Sequence, residues 1–207
     1  MAKVKLSKNE LARQRNQLKL YSKLLPSLDL KRRQLTIEQD KARNELEATR
    51  RAVDELETHI GAELPMVANR DIEVSGLVTM TAFELGEENV VGVRLPRLDR
   101  IDCAIADYSL AAKPAWVDIL VARLRDAAEQ RTRVQVAEER VALLGQAVRR
   151  TTQRVNLFER VLIPEAKETI KRIMIHLGDQ ERSAVANSKL TKAKIKRQQA
   201  ALLGGGQ

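Results

Sequence analysis

From Leu120 onward an apolar residue returns every seven positions: Leu120, Ala127, Val134, Val141, Val148 and Val155. Such a heptad forms a narrow apolar seam on a long helix, with companions at Leu124, Leu144 and Phe158. After Val155 the spacing changes, and Phe158, Leu162, Ala166, Ile170, Ile173 and Leu177 repeat nearer eleven than seven. An eleven-residue repeat predicts that a left-handed supercoil straightens or slightly reverses there. A helix with one narrow seam and charges elsewhere needs a partner of similar length.

The same chain supplies one. A second seam runs through Leu11, Leu18, Tyr21, Leu25, Leu28, Leu35, Ala42, Leu46, Val53, Leu56 and Ile60, with polar interruptions at Gln14, Arg32, Gln39 and Thr49. Two readings of these interruptions stand open: polar seam residues that fix register, or exposed breaks in a weak seam. A helix over residues 3–63 is about 90 Å long. Two such helices separated by a compact insert fold back most economically as an antiparallel hairpin. The expected fold class is therefore mainly α: a long antiparallel coiled-coil hairpin of N- and C-terminal helices with a small β-hairpin insert. Its divisions are residues 1–64, the insert and connector at 65–112, the second helix at 113–200, and a flexible tail at 201–207.

Composition agrees. Aromatic residues make up 2% of the 207 residues and charged residues 31%, too few bulky groups for a thick globular core. Nothing is apolar over the roughly 18 residues a membrane span requires. The first residues lack the apolar core of a signal peptide, and the lone Cys103 fits a reducing compartment.

The net charge of +9 is unevenly spread. Residues 1–60 carry 14 basic and 9 acidic side chains, residues 61–112 carry 4 and 9, and residues 113–207 carry 19 and 10. The most basic stretches, 3–33 and 182–197, meet at one end of an antiparallel hairpin. A positive tip of this kind suits nucleic acid, an anionic membrane surface or an acidic protein socket. Few aromatics for stacking and no reader motif argue against nucleic acid.

Local signals place the elements. Ser7 and Glu10 have capping-box spacing. Pro26 predicts a kink or a short break near 24–27, and the unbroken heptad phase favours the kink. Gly61 and Pro65 close the first arm, and Pro114 suits the first position of the second. Between them the period becomes two. Strands are expected at 71–75, 77–85 and 90–95, with Gly86-Glu-Glu-Asn89 as the turn, Gly92 as a bulge or close approach, and Pro96 ending the third run. Residues 101–110 are read as a short returning helix, and Trp116 as packing the second arm against the insert.

No catalytic, cofactor-binding or metal-ligating constellation emerges. His59 and His176 lack ligand spacing to each other or to Cys103, Glu87–Glu88 and Glu138–Glu139 read as solvated faces, and Gly204-Gly-Gly206 opens no helix. The chain is not expected to be an enzyme by itself.

Four short motifs carry a resemblance. Arg154-Val-Asn-Leu-Phe-Glu159, followed by Ile163-Pro164, Ile170, Ile173 and Asp179-Gln-Glu-Arg182, resembles the C-terminal signature of the D subunits of the V/A-type rotary ATPases. Ser7-Lys-Asn-Glu-Leu11, Leu18-Lys-Leu20 and Leu24-Leu-Pro-Ser-Leu-Asp-Leu-Lys-Arg32 resemble the first helix of that family. Asn89-Val-Val-Gly-Val-Arg-Leu-Pro96 resembles its hairpin, and Lys113-Pro-Ala-Trp-Val-Asp118 the start of its second long helix. The resemblance thus runs through nearly the whole chain, in order. Leu157-Phe158 departs from the family's Ala-Leu, which puts a bulkier residue on the seam, and Gly178 stands where an acidic residue is usual.

The resemblance implies a non-catalytic central-stalk rotor subunit, an axle coupling ATP synthesis or hydrolysis to proton or sodium transport. Its implied partners are the catalytic and regulatory A and B subunits of the head, the small F subunit of the stalk, and the C (or d) socket subunit of the membrane rotor. It implies no cofactor, no nucleic acid, and a cytoplasmic place peripheral to the membrane. Head-contact candidates are Arg149, Arg150, Arg154, Asn156, Glu159 and Arg160. Stalk-contact candidates are Glu87, Glu88, Asn89, Val91 and Gly92, on an insert expected to project. Pro26 and Pro164 are the expected helix kinks. A basic coiled-coil adaptor for nucleic acid or an anionic membrane is the alternative from composition alone.

Overall fold

A computed structural model describes residues 5–68, 76–107, 114 and 116–204. Helix α1 spans Lys8–Glu63, strand β1 Val78–Val90, strand β2 Val93–Ile105 and helix α2 Trp116–Leu157. A π-helical turn at Phe158–Leu162 leads into helix α3, Ile163–Gly204, which reaches four residues into the stretch expected as a tail. The fold is mainly α with a small β insert. It divides into two compact units, residues 30–152 and residues 1–29 with 153–207.

In the larger unit α1 and α2 run antiparallel. Three ion pairs show it: Arg50–Glu138 at 2.6 Å, Arg131–Glu57 at 2.7 Å and Arg123–Glu63 at 3.1 Å, one number rising as the other falls in steps of about a heptad. All three are well exposed, so their value lies in register more than stability. Every expected apolar seam residue of α1 is buried or half-buried, and so are Gln14, Arg32, Gln39 and Thr49. These four are therefore polar members of the seam and not exposed breaks. Gln39 shows how one is accommodated: a Cβ on Gly145 would come within 3.0 Å of its Nε2, so a side chain-free position opposite leaves it room.

The β insert differs from expectation in register. The turn is Val91-Gly92, with both residues at positive φ (52° and 79°), as a two-residue type I′ hairpin requires. The Asn89 carboxamide accepts from the Gly92 N–H at 2.9 Å and closes it. Gly86-Glu-Glu-Asn89 is strand, paired with Arg94–Arg97. At Gly86 the Asp99 carboxylate lies over the position a Cβ would take. Pro96 sits inside β2 opposite Glu87. Its carbonyl accepts from Arg140, so its N side also faces away from β1 and the missing donor costs the ladder nothing. Residues 101–105 are strand and not helix, and the expected strand at 71–75 lies outside the described residues.

Nor does the hairpin project. Its base packs Leu77 and Val78 against Val117, Leu120 and Val121, with Trp116 beside them, as expected of that tryptophan. Midway, the Thr132 hydroxyl meets Met80 Sδ at 3.5 Å. At the tip Val90, Val91, Val93 and Leu95 pack on Leu35, Ala42 and Leu144. The hairpin thus lies along α2, which needs a second inward stripe beside its seam. That stripe includes Thr132 and Val136, both buried, and the half-buried Arg140.

In the smaller unit Ser7 caps α1 by accepting from the Glu10 N–H at 3.3 Å. The reciprocal half of the capping box is absent: Glu10 accepts from Gln14, and the Ser7 N–H donates to the Lys5 carbonyl. α1 runs without a break through Pro26, and Ser27 Oγ donates to the Leu24 carbonyl at 2.8 Å beside it. The change of period after Val155 is taken up locally by the π turn, where the Ile163 N–H donates to the Phe158 carbonyl. Pro164 follows at once. An i→i−5 turn widens the helix just where the proline ring would crowd a carbonyl four residues back. Pro114 stands before α2, its carbonyl accepting from the Val117 N–H at 3.0 Å.

Across this unit's seam Arg15 reaches Met174 Sδ at 3.6 Å, and Tyr21 meets Phe158 edge-on with ring centroids 5.4 Å apart. Ile170 therefore falls opposite residues between Arg15 and Tyr21, and not opposite Leu25. In a Cys103→Ser background, Tyr21→Cys with Phe158→Cys should be joined within one chain by a short bis-maleimide. Leu25→Cys with Ile170→Cys should react far less, and a reversal of that order would disprove the register.

Candidate functional site

Six head-contact candidates lie in and beside the C-terminal signature. Arg149 and Arg150 lie in the larger unit, and Arg154, Asn156, Glu159 and Arg160 in the smaller. Half-buried Val148 and buried Thr151 and Val155 interleave with the arginines, which turns Arg149, Arg150 and Arg154 outward. Arg160 and Glu159 are exposed and Asn156 is half-buried. None of the four arginines forms an ion pair or hydrogen bond with the described residues, so their donors are available to another molecule. The smaller unit also carries exposed apolar side chains that heptad reading did not single out: Leu157 and Val161, and Leu20 and Leu24 on α1.

A second surface is the end of α3. From Asp179 to Arg197 every residue is exposed, including Val185, Leu190 and Ile195. The stretch has no acid after Glu181. A single helix of this length gains nothing from packing in the described structure, and short isolated helices are marginal in water.

The hairpin candidates fare differently. Glu87 pairs with Arg94 at 3.7 Å on the surface, and Asn89 and Gly92 are occupied in building the turn. Val91 packs on the helix pair, and Glu88 accepts from both Nη atoms of Arg140 at 3.1 Å. Glu87, Glu88, Asn89 and Gly92 are nonetheless exposed, and Val91 is half-buried. Arg140, which also donates to the Pro96 carbonyl at 3.0 Å, is the residue that sequence reading missed. Within Glu138-Glu139-Arg140 it looks like one more solvated charge, and only the hairpin's position reveals it. Between hairpin and helices a cleft of about 660 Å³ is lined by Ala48, Ala52, Ala137, Arg97, Arg133 and Arg140, among others. Near it, the hydrogen bond and the charge of Asp99 raise the Arg97 pKa further, so that guanidinium stays charged at any ordinary pH.

Among the described residues no cluster of three His, Cys, Asp or Glu side chains is placed to hold a metal ion. Cys103 is a half-buried free thiol in β2. Among the same residues no helix is long and apolar enough to cross a membrane. What the arrangement offers is exposed guanidinium groups on paired helices and a free basic helix end.

The family of ATP synthase D subunits matches residues 10–193. The V-type ATP synthase D subunit of Borreliella burgdorferi is 33% identical over 195 residues, covering 94% of this chain and 96% of that protein. The proteins of the same name from Chlamydia muridarum and Chlamydia abortus are 34% and 35% identical, each over 94% of this chain and covering 97% and 94% of those proteins. Matched by the family over residues 10–193 and by relatives at 33–35% identity along 94% of its length, the chain belongs to the family of ATP synthase D subunits.

Proposed function

We infer that this chain is the central-stalk rotor subunit of a V/A-type ATP synthase, coupling nucleotide turnover in the catalytic head to proton or sodium transport. The observation that carries the reading is the division of labour along the chain. A seam closes one face of the helices, while Arg149, Arg150, Arg154 and Arg160 have no ion-pair or hydrogen-bond partner among the described residues, and residues 182–197 are exposed throughout, with Arg182 paired only to Asp179 of its own helix. A shaft turning inside a ring requires this: inner contacts that hold it together and an outer surface free for successive neighbours. Rotation of an asymmetric shaft changes which catalytic interface meets which face. It thereby shifts nucleotide-state populations, a coupling free energy and not bond chemistry. Arg149, Arg150, Arg154 and Arg160, in and beside the signature, would face the A and B subunits of the head. The helix pair and hairpin of the larger unit away from Arg149 and Arg150 would meet the small F subunit of the stalk and the C (or d) socket subunit, with Glu87 as the most available hairpin contact. The chain would act as a non-catalytic, peripheral cytoplasmic subunit without a cofactor.

The test compares two arginines on one arm. Arg154→Ala should leave thermal stability unchanged, since no internal partner is lost and alanine is the better helix former. In reconstituted complexes it should speed dissociation of the shaft from the head roughly tenfold, the loss of one charge-assisted hydrogen bond. Arg123→Ala breaks the Glu63 pair and should lower stability by under about 1 kcal/mol while leaving shaft retention intact. Equal and negligible effects on retention would mean that these arginines are not head contacts. Strong salt-dependent binding to duplex DNA in place of complex formation would favour the basic adaptor.

A further inference from the structure

α3 has two regimes, and a glycine stands at their junction. Ile170, Ile173, His176, Leu177 and Gly178 are buried or half-buried, whereas every residue from Asp179 to Arg197 is exposed. The last cross-helix contact among the described residues is Lys8–Glu181 at 4.0 Å, with both side chains more than 70% exposed, and α1 begins at Lys8. Beyond this point nothing in the described structure holds α3 but its own backbone.

Most other described glycines have a local reason. Gly86 lies under the Asp99 carboxylate, Gly145 faces Gln39, and Gly76 and Gly92 take positive φ. Gly61 stands in the last turn of α1. Gly178 has none of these. It is in mid-helix, its φ is not positive, and a Cβ built on it meets nothing within 4 Å. Glycine is the poorest helix former after proline, because it releases the most backbone freedom. Sterically unneeded, it stands where packing stops restraining the helix.

We propose that Gly178 is a flexible joint between the paired and the free parts of α3. It lets residues 179–197 swing as a short helical arm and re-aim Val185, Leu190 and Ile195 without disturbing the seam. Low packing on one side and a weak backbone at the hinge make this the lowest-cost bend in α3, a local opening rather than unfolding. The joint is a property of the isolated chain and does not depend on the rotor reading.

Pulsed electron–electron resonance on the full chain tests it. In a Cys103→Ser background, spin labels go on Ala12→Cys with Ser188→Cys, which spans the joint, and on Ala12→Cys with Lys171→Cys, which does not. Gly178→Ala should narrow the first distance distribution by roughly half and leave the second unchanged. Adding Ala184→Gly to Gly178→Ala should broaden the first again, because a new weak point is placed in the unpaired helix. Equal widths for wild type and Gly178→Ala would overturn the proposal. So would a change in the Ala12–Lys171 distribution, which would locate the motion in the helix pair itself.

Discussion

Leu144→Ala is expected to lower the stability of the larger unit by about 3–5 kcal/mol, the largest effect expected of any single side-chain truncation in this chain. Leu144 is 1% exposed and packs with Leu35 and Ala42 of α1 and Leu95 of β2. It therefore joins both helices and the hairpin at one point. Its removal loses the transfer free energy of the side chain and leaves a cavity that three rigid elements cannot easily fill. Leu190→Ala is the control. That side chain is 68% exposed on the free part of α3, and its loss should change stability by less than about 0.5 kcal/mol. Because the chain has two compact units, a single unfolding midpoint is a poor measure. Amide exchange resolved by peptide is better: Leu144→Ala should accelerate exchange in 35–46, 93–105 and 140–148, and leave 163–177 as it was. Uniform acceleration, or none, would mean that this cluster does not organise the larger unit.

The seam was legible because a helix can bury a heptad stripe in only one way. All eleven apolar positions from Leu11 to Ile60 are buried or half-buried, as are their counterparts from Leu120 to Leu177. Register was not. Any heptad pairs with any other at steps of seven, and what fixes the observed pairing is specific: Gln39 against Gly145, Tyr21 against Phe158. The hairpin was legible as a hairpin, but its turn was misplaced by a few residues. Polar Gly86-Glu-Glu-Asn89 carries turn composition, whereas Val90-Val-Gly-Val93 reads as strand. A β-branched residue at positive φ is among the least expected choices for a turn. Val91 is held there by packing on the Leu35–Leu144 cluster, a tertiary contact that no local pattern encodes. The resemblance named the four arginines; the outward position of Arg149, Arg150 and Arg154 follows from the seam residues that interleave with them. That the end of α3 stands alone follows from where α1 begins, which composition does not reveal.

Arg140 marks the limit of pattern reading, and it supplies the second large effect. Both Nη atoms donate to Glu88 at 3.1 Å, and one also donates to the Pro96 carbonyl at 3.0 Å. One guanidinium thus holds both strands of the hairpin to α2. Its Nε is buried without a partner, so the group is desolvated for the sake of the other two nitrogens. Arg140→Ala should cost about 1–2 kcal/mol; the half-exposed Glu88 regains water, which keeps the figure below that of a fully buried pair. Arg140→Lys should recover little of it, since a single ammonium cannot reproduce the planar fork. Glu88→Gln should fall between wild type and Arg140→Ala, keeping the one oxygen that both Nη atoms share while losing the charge. Release of the hairpin, and not general unfolding, is the expected consequence: faster amide exchange and proteolysis in 78–105, with the α1–α2 pairing at Arg50–Glu138 retained. Wild-type protection of 78–105 in Arg140→Ala would show that the apolar contacts at base and tip hold the hairpin by themselves, leaving Arg140 no part in its docking.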